Sequence, residues 1–335
     1  MSRLLAAVIV LAAQAAPVQL FTIRDARIDE ASGIARGIAS PNVYYVHNDS
    51  GDSARFFAVD AHSGRVRATY HVPGAVNHDW EDLAVAPDAA GTPSVWLADI
   101  GDNDAVRRSV QLYRVDEPYV TTGSHLTGRP DVWRLRYPSG PVNAESLFVT
   151  PRGRAYLVTK VLSGRSVVYE VPARPSRDRV QLLRRVGMFQ VPQTGLAALT
   201  TGAALSRDGA VLVIRTYLTA YVWRARDADI AAALRTRPIA VPLPLQRQGE
   251  GVCIVGTDLV VDSEGRDQPV WRVPLPARLR PTESSSASVS PSDSTSASAS
   301  AGSPSSSGRW VPEVVVGALA LLLVAAAGVR VFRRR

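Results

Sequence analysis

Short apolar runs fill the chain between residues 17 and 281, and Gly, Pro, Asp and Asn separate them. Runs of this kind between turn residues are typical of β-strands. Almost none of the region has the 3.6-residue periodicity of an amphipathic helix, and the one helix-like stretch covers residues 227–235. The pattern therefore predicts an all-β domain: a sandwich, a barrel or a propeller.

A five-fold repeat favours the propeller among these architectures. Each unit opens with a small or acidic residue before an apolar strand, and the openings lie at Glu30, Glu81, Glu145, Gly202 and Glu250. Second strands are predicted at 43–46, 94–98, 155–159, 211–214 and 258–261, third strands at 55–59, 109–115, 166–171, 220–223 and 269–273, and fourth strands at 66–72, 131–137, 180–191 and 238–242. The fifth unit has no fourth strand, and a spare strand at 20–28 precedes the first unit. The sequence predicts a five-bladed β-propeller of four-stranded blades, closed by this N-terminal strand.

The two ends of the chain have the composition of targeting segments. The N-terminus has a positively charged start at Arg3, an apolar run and a cleavage site formed by small residues, which together predict a signal peptide over residues 1–16. Residues 314–329 carry no charge and arginines follow them, which predicts a single transmembrane helix over 310–332 and a cytoplasmic tail over 333–335. In the stretch 284–308, 14 of 25 residues are serine, so residues 282–309 are predicted to be a disordered stalk. We therefore expect a single-pass cell-membrane protein whose propeller, residues 17–281, is extracytoplasmic.

The net charge of +8 comes partly from these ends. The leader and the C-terminal segment hold Arg3, Arg330, Arg333, Arg334 and Arg335 against Glu313, which leaves a charge of +4 for the rest of the chain. No basic run with interleaved aromatic residues is present, so a nucleic-acid partner is not expected. The chain has one cysteine, which excludes an internal disulfide. The expected partners are the membrane and an unidentified extracellular ligand or protein.

A ring of polar residues is predicted at one mouth of the central channel. Inner strands begin on the face where second strands end, so the openings and the second-strand ends should converge there. The candidate ligand-binding residues are Glu30, His47, Asn48, Asp49, Glu81, Asp82, Glu145, Lys160, Arg215 and Glu250. Carboxylate and amide oxygens suit a hard cation, which makes Ca²⁺ the candidate cofactor and Asp49, Asp99, Asp102 and Asn103 its candidate ligands.

Three functions remain open on the sequence. The leading interpretation is recognition of a ligand or partner at the acidic mouth, with Ca²⁺ as the candidate ion. Paired carboxylates would also suit an extracytoplasmic hydrolase of the glycosidase or phosphoesterase type, although no pattern assigns a catalytic residue. The third interpretation is a purely structural scaffold in which Asp and Asn cap turns and carboxylates pair with arginine. Lys160 and Arg215 could hold an anionic group in either of the first two cases.

Three motifs resemble those of a group of secreted bacterial propeller proteins. They are His-Asn-Asp-Ser-Gly at 47–51, Asp-Trp-Glu-Asp-Leu-Ala at 79–84 and Asp-Ile-Gly-Asp-Asn at 99–103, and an arginine at 107 or 108 and Glu117-Pro118 follow them. The resemblance covers roughly residues 30–265. Proteins of this group are mostly uncharacterised and often carry WD-repeat-like labels. The resemblance implies a propeller with a shared polar ring, and it implies no substrate.

Overall fold

The computed structural model describes residues 15–176 and 178–279, which form five β-sheets. The strands of the first half are β1 (Val18–Thr22), β2 (Ala31–Arg36), β3 (Val43–Asn48), β4 (Arg55–Asp60), β5 (Val66–His71), β6 (Trp80–Pro87), β7 (Pro93–Asp99), β8 (Val110–Asp116), β9 (Gly123–Leu126), β10 (Asp131–Arg136) and β11 (Ala144–Val149). Those of the second half are β12 (Ala155–Thr159), β13 (Arg165–Glu170), β14 (Gln181–Leu182), β15 (Arg184–Gln190), β16 (Thr200–Leu205), β17 (Val211–Thr216), β18 (Thr219–Arg224), β19 (Ile239–Pro242), β20 (Val252–Val255), β21 (Asp258–Val261) and β22 (Pro269–Pro274).

The five sheets are the blades of a propeller, as predicted. From the axis outward, blade 1 is β2-β3-β4-β5, blade 2 is β6-β7-β8-β10, blade 3 is β11-β12-β13-β15, blade 4 is β16-β17-β18-β19 and blade 5 is β20-β21-β22-β1. Each inner strand contacts the inner strand of the next blade, and β20 contacts β2, so the ring is closed.

The N-terminal strand closes the ring in the predicted way. β1 pairs antiparallel with β22, from Val18 opposite Arg272 to Thr22 opposite Pro269. The last blade takes its outer strand from the first residues of the domain because its own sequence supplies three strands. This pairing ties the two ends of the domain together and covers an edge that would otherwise be open.

Two outer strands are additions that the repeat did not predict. β9 pairs parallel with β5 on the edge of blade 1, and β14 pairs parallel with β10 on the edge of blade 2. β9 lies in the connection between β8 and β10 of blade 2, and β14 lies in the connection between β13 and β15 of blade 3. Each connection therefore fastens its own blade to the preceding blade. The predicted strand over 180–191 is thus two strands, of which β15 alone belongs to blade 3.

The core consists of five apolar clusters, one between each pair of adjacent blades. Trp96 and Trp133 of blade 2 pack against blade 3, with ring centroids 5.5 Å apart. Phe21 of β1 packs on Tyr44 of blade 1, with ring centroids 5.7 Å apart, so the closing strand contributes to the blade 5–blade 1 cluster. Both faces of most inner and middle strands are therefore buried, which explains their continuous apolar runs.

The helical content of the described residues is small. α1 (Ile230–Leu234) lies within the predicted helix-like stretch, and the Asp229 side chain caps it by accepting from the Ala232 N–H. Turns of 3₁₀-helix cover Gly195–Ala198, Arg226–Ala228 and Ala277–Leu279. Within residues 15–176 and 178–279, no helix has the length and hydropathy needed to cross a bilayer. The described residues leave out residues 1–14 of the predicted leader and all of the predicted stalk, transmembrane helix and tail. These segments stay predictions.

Candidate functional site

The inner strands of blades 1 to 4 each begin with a β-bulge at the same point of their pairing with the second strand. The extra residues are Ser32, Glu81, Glu145 and Thr201. A bulge adds one residue to one strand and re-aims its side chain. The bulges therefore turn these side chains out of the regular alternation at the start of each inner strand.

Hydrogen bonds between blades identify the equivalent position in blade 5. The Ser32 hydroxyl donates to the Glu81 carbonyl at 2.6 Å, and the Thr201 hydroxyl lies within hydrogen-bond distance of the Gly249 and Glu250 carbonyls, at 2.9 and 3.2 Å. Glu250 therefore corresponds to Glu81. The predicted opening at Glu30 is displaced by two residues, because Ser32 occupies this position in blade 1 and Glu30 remains exposed.

The next residue of each blade forms a closely packed layer around the axis. The residues are Gly33, Asp82, Ser146, Gly202 and Gly251. A Cβ atom on Gly33 would lie 2.6 Å from the Leu83 nitrogen, and one on Gly251 would lie 2.7 Å from the Ile34 nitrogen. The inner strands thus approach too closely at Gly33, Gly202 and Gly251 for a Cβ atom. Beyond the layer, a cavity of about 50 Å³ is lined by all five inner strands.

Asp82 links three blades at the axis and is fully buried. One carboxylate oxygen accepts from the Leu147 N–H of blade 3 at 2.8 Å and from the Ala203 N–H of blade 4 at 3.2 Å. The other accepts from the N–H of Leu83 at 2.8 Å. Burial raises the pKa of this carboxyl well above its ordinary value, and the three N–H donors oppose that rise. Asp82, a predicted ligand residue, therefore serves the fold.

Three carboxylates from blades 1 and 2 meet above this layer. Asp49 follows β3, while Asp79 and Glu81 lie on either side of Trp80 at the start of β6. One oxygen from each of the three carboxylates lies within 4.8 Å of the others. The Asn77 side chain holds the two loops together by donating to the Asp49 carbonyl at 2.6 Å. We call Asp49, Asp79 and Glu81 the carboxylate triad.

Gly101 provides the space for the triad. A Cβ atom at this position would overlap Glu81 Oε1 and Asp79 Oδ2. The Gly101 N–H also donates to the Asp79 carbonyl at 3.1 Å. The Asp-Ile-Gly-Asp-Asn motif therefore requires glycine at this position for a steric reason, because Gly101 lies directly against two of the three carboxylates.

The triad is electrostatically unfavourable as three free carboxylates. Burial, followed by repulsion from Asp79, raises the pKa of Asp49 to about 8. Burial also raises the pKa of Asp79, and burial with repulsion from Glu145 and Asp49 raises the pKa of Glu81 well above its usual range. Among the described residues, no lysine, arginine or histidine forms an ion pair with a triad member. The triad therefore favours a proton or a bound cation.

The other half of the mouth, on blades 3 to 5, contains the single lysine of the chain. Lys160 forms an ion pair with Glu145, and its ammonium lies 5.5 Å from the ring centroid of Tyr217. Attraction to Glu145 and Glu250 outweighs burial and raises the pKa of Lys160. Glu250 is 3% exposed, and its side chain makes no hydrogen bond or ion pair with any described residue. Burial raises the pKa of Glu250 well above its usual value, and burial raises that of Glu264 to about 7.

Three predicted metal ligands lie outside the triad. Asp99 accepts from the Asp79 N–H at 3.1 Å and pairs with Arg107 at 2.9 Å. Asp102 accepts from the N–H groups of Val106 and Arg107, both at 2.8 Å, and so caps its own turn. Asn103 is exposed, and its side chain accepts from the Asn143 amide at 3.0 Å. The structure thus brings Asp49 together with Asp79 and Glu81 rather than with these three residues.

The remaining predicted residues support the loops from below. Nδ1 of His47 donates to the Asn48 carbonyl at 2.8 Å, and burial lowers the pKa of His47 to about 4. The Asn48 amide donates to the Arg27 carbonyl at 2.6 Å and to the Asp52 carboxylate at 2.9 Å. Arg215 is fully buried and donates to the Gly251 carbonyl at 2.8 Å. These side chains are engaged within the protein.

A surface cleft of about 340 Å³ opens next to the triad. It is lined by Val76, His78, Asp99, Arg107, Arg108, Ser109 and Gln111. The cleft adjoins the triad because Asp99 accepts from the N–H of Asp79. Its volume is that of a site for a small organic group, and its basic side chains suit an anionic one.

Sequence reasoning did not assign Asp79 or Tyr217 to the mouth, and it placed Glu264 in the polar ring without counting it among the candidate ligand-binding residues. Asp79 lies within the second motif, and Glu264 follows the second strand of blade 5, so both had a sequence signal as acids near a strand end. Tyr217 had none, because a tyrosine between two strands is usually a packing residue.

Comparison with known proteins shows no family for this chain. No family model matches the chain, and no curated protein matches it. Similar solved structures include the PQQ-bound aldose sugar dehydrogenase of Streptomyces coelicolor (13% identity, 77% of this chain, 98% of that chain, TM-score 0.46) and the major allergen Mala s 1 of Malassezia sympodialis (10% identity, 77% and 96%, TM-score 0.48). Another is the β-propeller domain of Cps50 (Swd1) from Myceliophteria thermophila (10% identity, 72% and 83%, TM-score 0.37). These values are low, so the blade assignment rests on the sheets of this chain.

Proposed function

We propose that this protein is a membrane-anchored propeller at the cell surface whose mouth binds Ca²⁺ through the carboxylate triad and, with it, an anionic ligand. The observation that carries the proposal is the separation of the three carboxylate oxygens, at most 4.8 Å. Calcium–oxygen distances are about 2.4 Å, so two ligands on opposite sides of the ion lie about 4.8 Å apart. All three oxygens therefore fit on one coordination sphere.

The electrostatics of the triad explain why a cation would bind. Burial and mutual repulsion raise the pKa values of Asp49, Asp79 and Glu81. A divalent cation replaces the shared protons and removes the repulsion between the ionised groups. Lys160 forms its ion pair with Glu145 rather than with a triad member, and its charge only partly offsets the rise in the pKa of Glu81.

The donor set supports calcium over a transition metal. All three donors are carboxylate oxygens, and neither histidine nor cysteine takes part, which suits a hard cation. Calcium takes six to eight oxygen ligands, so three carboxylates leave positions for water and for an oxygen of a bound molecule. The adjacent cleft with His78 and Arg108 would hold the rest of an anionic ligand.

The cellular setting of the proposal comes from the predicted leader, stalk and transmembrane helix. A leader over 1–16 and an anchor over 310–332 would place the mouth outside the cytoplasm, where millimolar Ca²⁺ suits weak, exchangeable sites. Protease treatment of intact cells tests this part separately. Loss of the propeller from intact cells supports the surface location, and full protection contradicts it.

Calcium binding is tested by calorimetric titration and thermal unfolding of the full-length chain, with and without chelator. At 100 times the Kd, a ligand stabilises by about 2.7 kcal/mol, which for a domain of this size raises Tm by about 5–10 °C. Asp49→Asn and Glu81→Gln should abolish the shift. Asp104→Asn, which changes an exposed acid in a neighbouring loop, is the matched control and should keep it. A wild-type chain whose Tm responds neither to calcium nor to chelator would remove the proposal.

Glu250 favours a hydrolase as the second candidate. A buried carboxyl without a partner, whose pKa is raised, is typical of a general acid at neutral pH. Asp82 accepts from backbone N–H groups, and Glu145 is paired with Lys160. The second catalytic carboxylate of such a hydrolase would therefore come from the triad. A panel of nitrophenyl glycosides and phosphate esters tests this. Turnover that Glu250→Gln abolishes supports the hydrolase, and absence of turnover on the panel contradicts it.

A further inference from the structure

Exposed leucine and valine side chains are concentrated on the mouth face of the propeller. In each blade the chain reaches this face after the second strand and again on passing to the next blade. Of the eleven large apolar residues that are exposed among the described residues, six lie in these connections: Val76, Val106, Leu162, Leu196, Leu218 and Leu245. Contiguous exposed apolar surface is uncommon on soluble domains and marks interaction sites.

Four of these residues surround the blade 3–5 half of the mouth. The Gly195 N–H donates to the Leu162 carbonyl at 2.8 Å, which joins the loop of Leu162 to that of Leu196. The Leu243 N–H donates to the Leu218 carbonyl at 3.0 Å, which joins the loop of Leu218 to the segment that leads to Leu245. We call Leu162, Leu196, Leu218 and Leu245 the leucine rim, and their exposures are 59%, 64%, 45% and 85%.

The centre of this half of the mouth contains Glu145 and Glu250, and of the two only Glu145 forms an ion pair with Lys160. Lys160 and Tyr217 connect the two halves of the rim, since the Lys160 ammonium lies over the Tyr217 ring. Lys160 forms its ion pair with Glu145. Glu250 is buried and makes no hydrogen bond or ion pair with a described residue. A carboxylate in this position is costly unless a donor or a cation reaches it.

Arg215, beneath this centre, does not supply the missing partner. Its guanidinium donates to the carbonyls of Gly251 and Asp262, at 2.8 and 3.3 Å, and to the Gln246 side chain at 3.1 Å. Glu250 therefore has no hydrogen bond or ion pair of its own among the described residues, although the charges of Lys160 and Arg215 oppose the rise that burial causes in its pKa.

We propose that the leucine rim and Glu250 form a docking surface for a protein segment that presents a lysine or arginine between large apolar side chains. The cationic group enters the centre and pairs with Glu250, while its apolar neighbours cover the rim. Removal of water from the rim strengthens the charge pair, as at the centres of other interfaces. A phosphatidylcholine surface fits less well, because neither its acyl chains nor its headgroup can donate a hydrogen bond to Glu250.

Fluorescence anisotropy of the full-length chain in the presence of chelator tests the docking surface. The probe is a labelled dodecapeptide with a central Arg flanked by leucines. Matched probes carry a central Gln or flanking serines. We expect the Arg–Leu peptide to bind about tenfold more tightly than either matched probe, since each loses one part of the interaction. Equal binding of the three probes, or no binding at about 1 mM, overturns the proposal.

Variants of the chain locate the interaction. Glu250→Gln and the double variant Leu162→Ser/Leu245→Ser should each weaken binding of the Arg–Leu peptide about tenfold. Leu126→Ser is the matched control, because Leu126 is 74% exposed at the end of β9 on the outer edge of blade 1, outside the blade 3–5 half of the mouth. Thermal unfolding verifies that each variant folds. Equal loss in Leu126→Ser, or none in the rim variant, contradicts the proposal.

Two further arms separate this proposal from neighbouring ones. The chelator and an Asp49→Asn variant remove the calcium site, so peptide binding that survives both is independent of the proposed function. Calcium binding with no peptide binding would refute the docking surface alone. Sedimentation with neutral phosphatidylcholine vesicles gives the last arm, and rim-dependent binding to vesicles without peptide binding would overturn the proposal in favour of a lipid surface.

Discussion

Asp82→Ala should destabilise the propeller by removing the acceptor that joins blades 2, 3 and 4. The N–H groups of Leu147 and Ala203 would lose their partner, at 2.8 and 3.2 Å, in a layer that water does not reach. Each buried donor left unsatisfied costs about 1–3 kcal/mol, or about 2–6 kcal/mol for these two donors from the other blades, and loss of the Leu83 N–H bond adds to this. Relief of the carboxylate's desolvation offsets part of this, so the lower half of that range is expected. Such a loss is a large fraction of the stability of a typical domain.

Urea unfolding and amide hydrogen exchange measure this effect together. The midpoint should fall at an unchanged m-value, and the amides of Leu147 and Ala203 should exchange faster than in the wild-type chain. Ser32→Ala is the control, because it removes a single bond between blades at nearly the same level, the 2.6 Å bond to the Glu81 carbonyl. It should cost about 1 kcal/mol. If Asp82→Ala costs no more than Ser32→Ala, or leaves both amides protected, Asp82 is not the axial link.

Three further predictions follow from the mouth and the ring closure. Gly101→Ala should lower calcium affinity at least about tenfold in a calorimetric titration, because the new Cβ displaces the Glu81 and Asp79 carboxylates, while Gly128→Ala, with open space around it, should not. Burial raises the pKa of Glu264 from 4.5 to about 7 in the folded protein, so its contribution to stability is present at low pH and is lost as the pH rises towards 7. Glu264→Gln should therefore flatten this part of the pH dependence when urea unfolding is measured at pH 5, 6 and 7. An unchanged slope would contradict the assignment. Phe21→Ala should cost about 3–5 kcal/mol in the same assay, since this buried ring of β1 packs across the closure, and a loss below 1 kcal/mol would mean that the closing strand contributes little.

The three motifs have a shared structural explanation at the junction of blades 1 and 2. The first supplies Asp49 and the second supplies Asp79 and Glu81, while the third supplies Gly101, which leaves room for the carboxylates. Glu117, at the end of the motif series, accepts from the backbone N–H groups of residues 38–40 and so fastens blade 2 to the β2–β3 hairpin of blade 1. The motifs therefore describe one junction and its acidic surface.

The repeat and its closure could be derived from the sequence because their signals are local. Apolar runs bounded by turn residues located the four-stranded blades to within a few residues, and a fifth unit one strand short indicated that the N-terminal strand would complete it. The strands β9 and β14 could not be derived in this way. They are four and two residues long, and their pairing depends on which blade edge the preceding connection reaches.

The sequence alone determined that acidic residues gather at one mouth, since strand order fixes where inner strands begin and second strands end. The tertiary structure decided which of those acids meet. Asp79 precedes the inner strand of blade 2 and Asp99 ends its second strand, yet Arg107 pairs with Asp99, while Asp79 lies beside Asp49. A bulge likewise gives Ser32 the position that Glu30 was predicted to hold. Pairing and one-residue offsets depend on neighbours that are distant in the chain, and no local pattern encodes them.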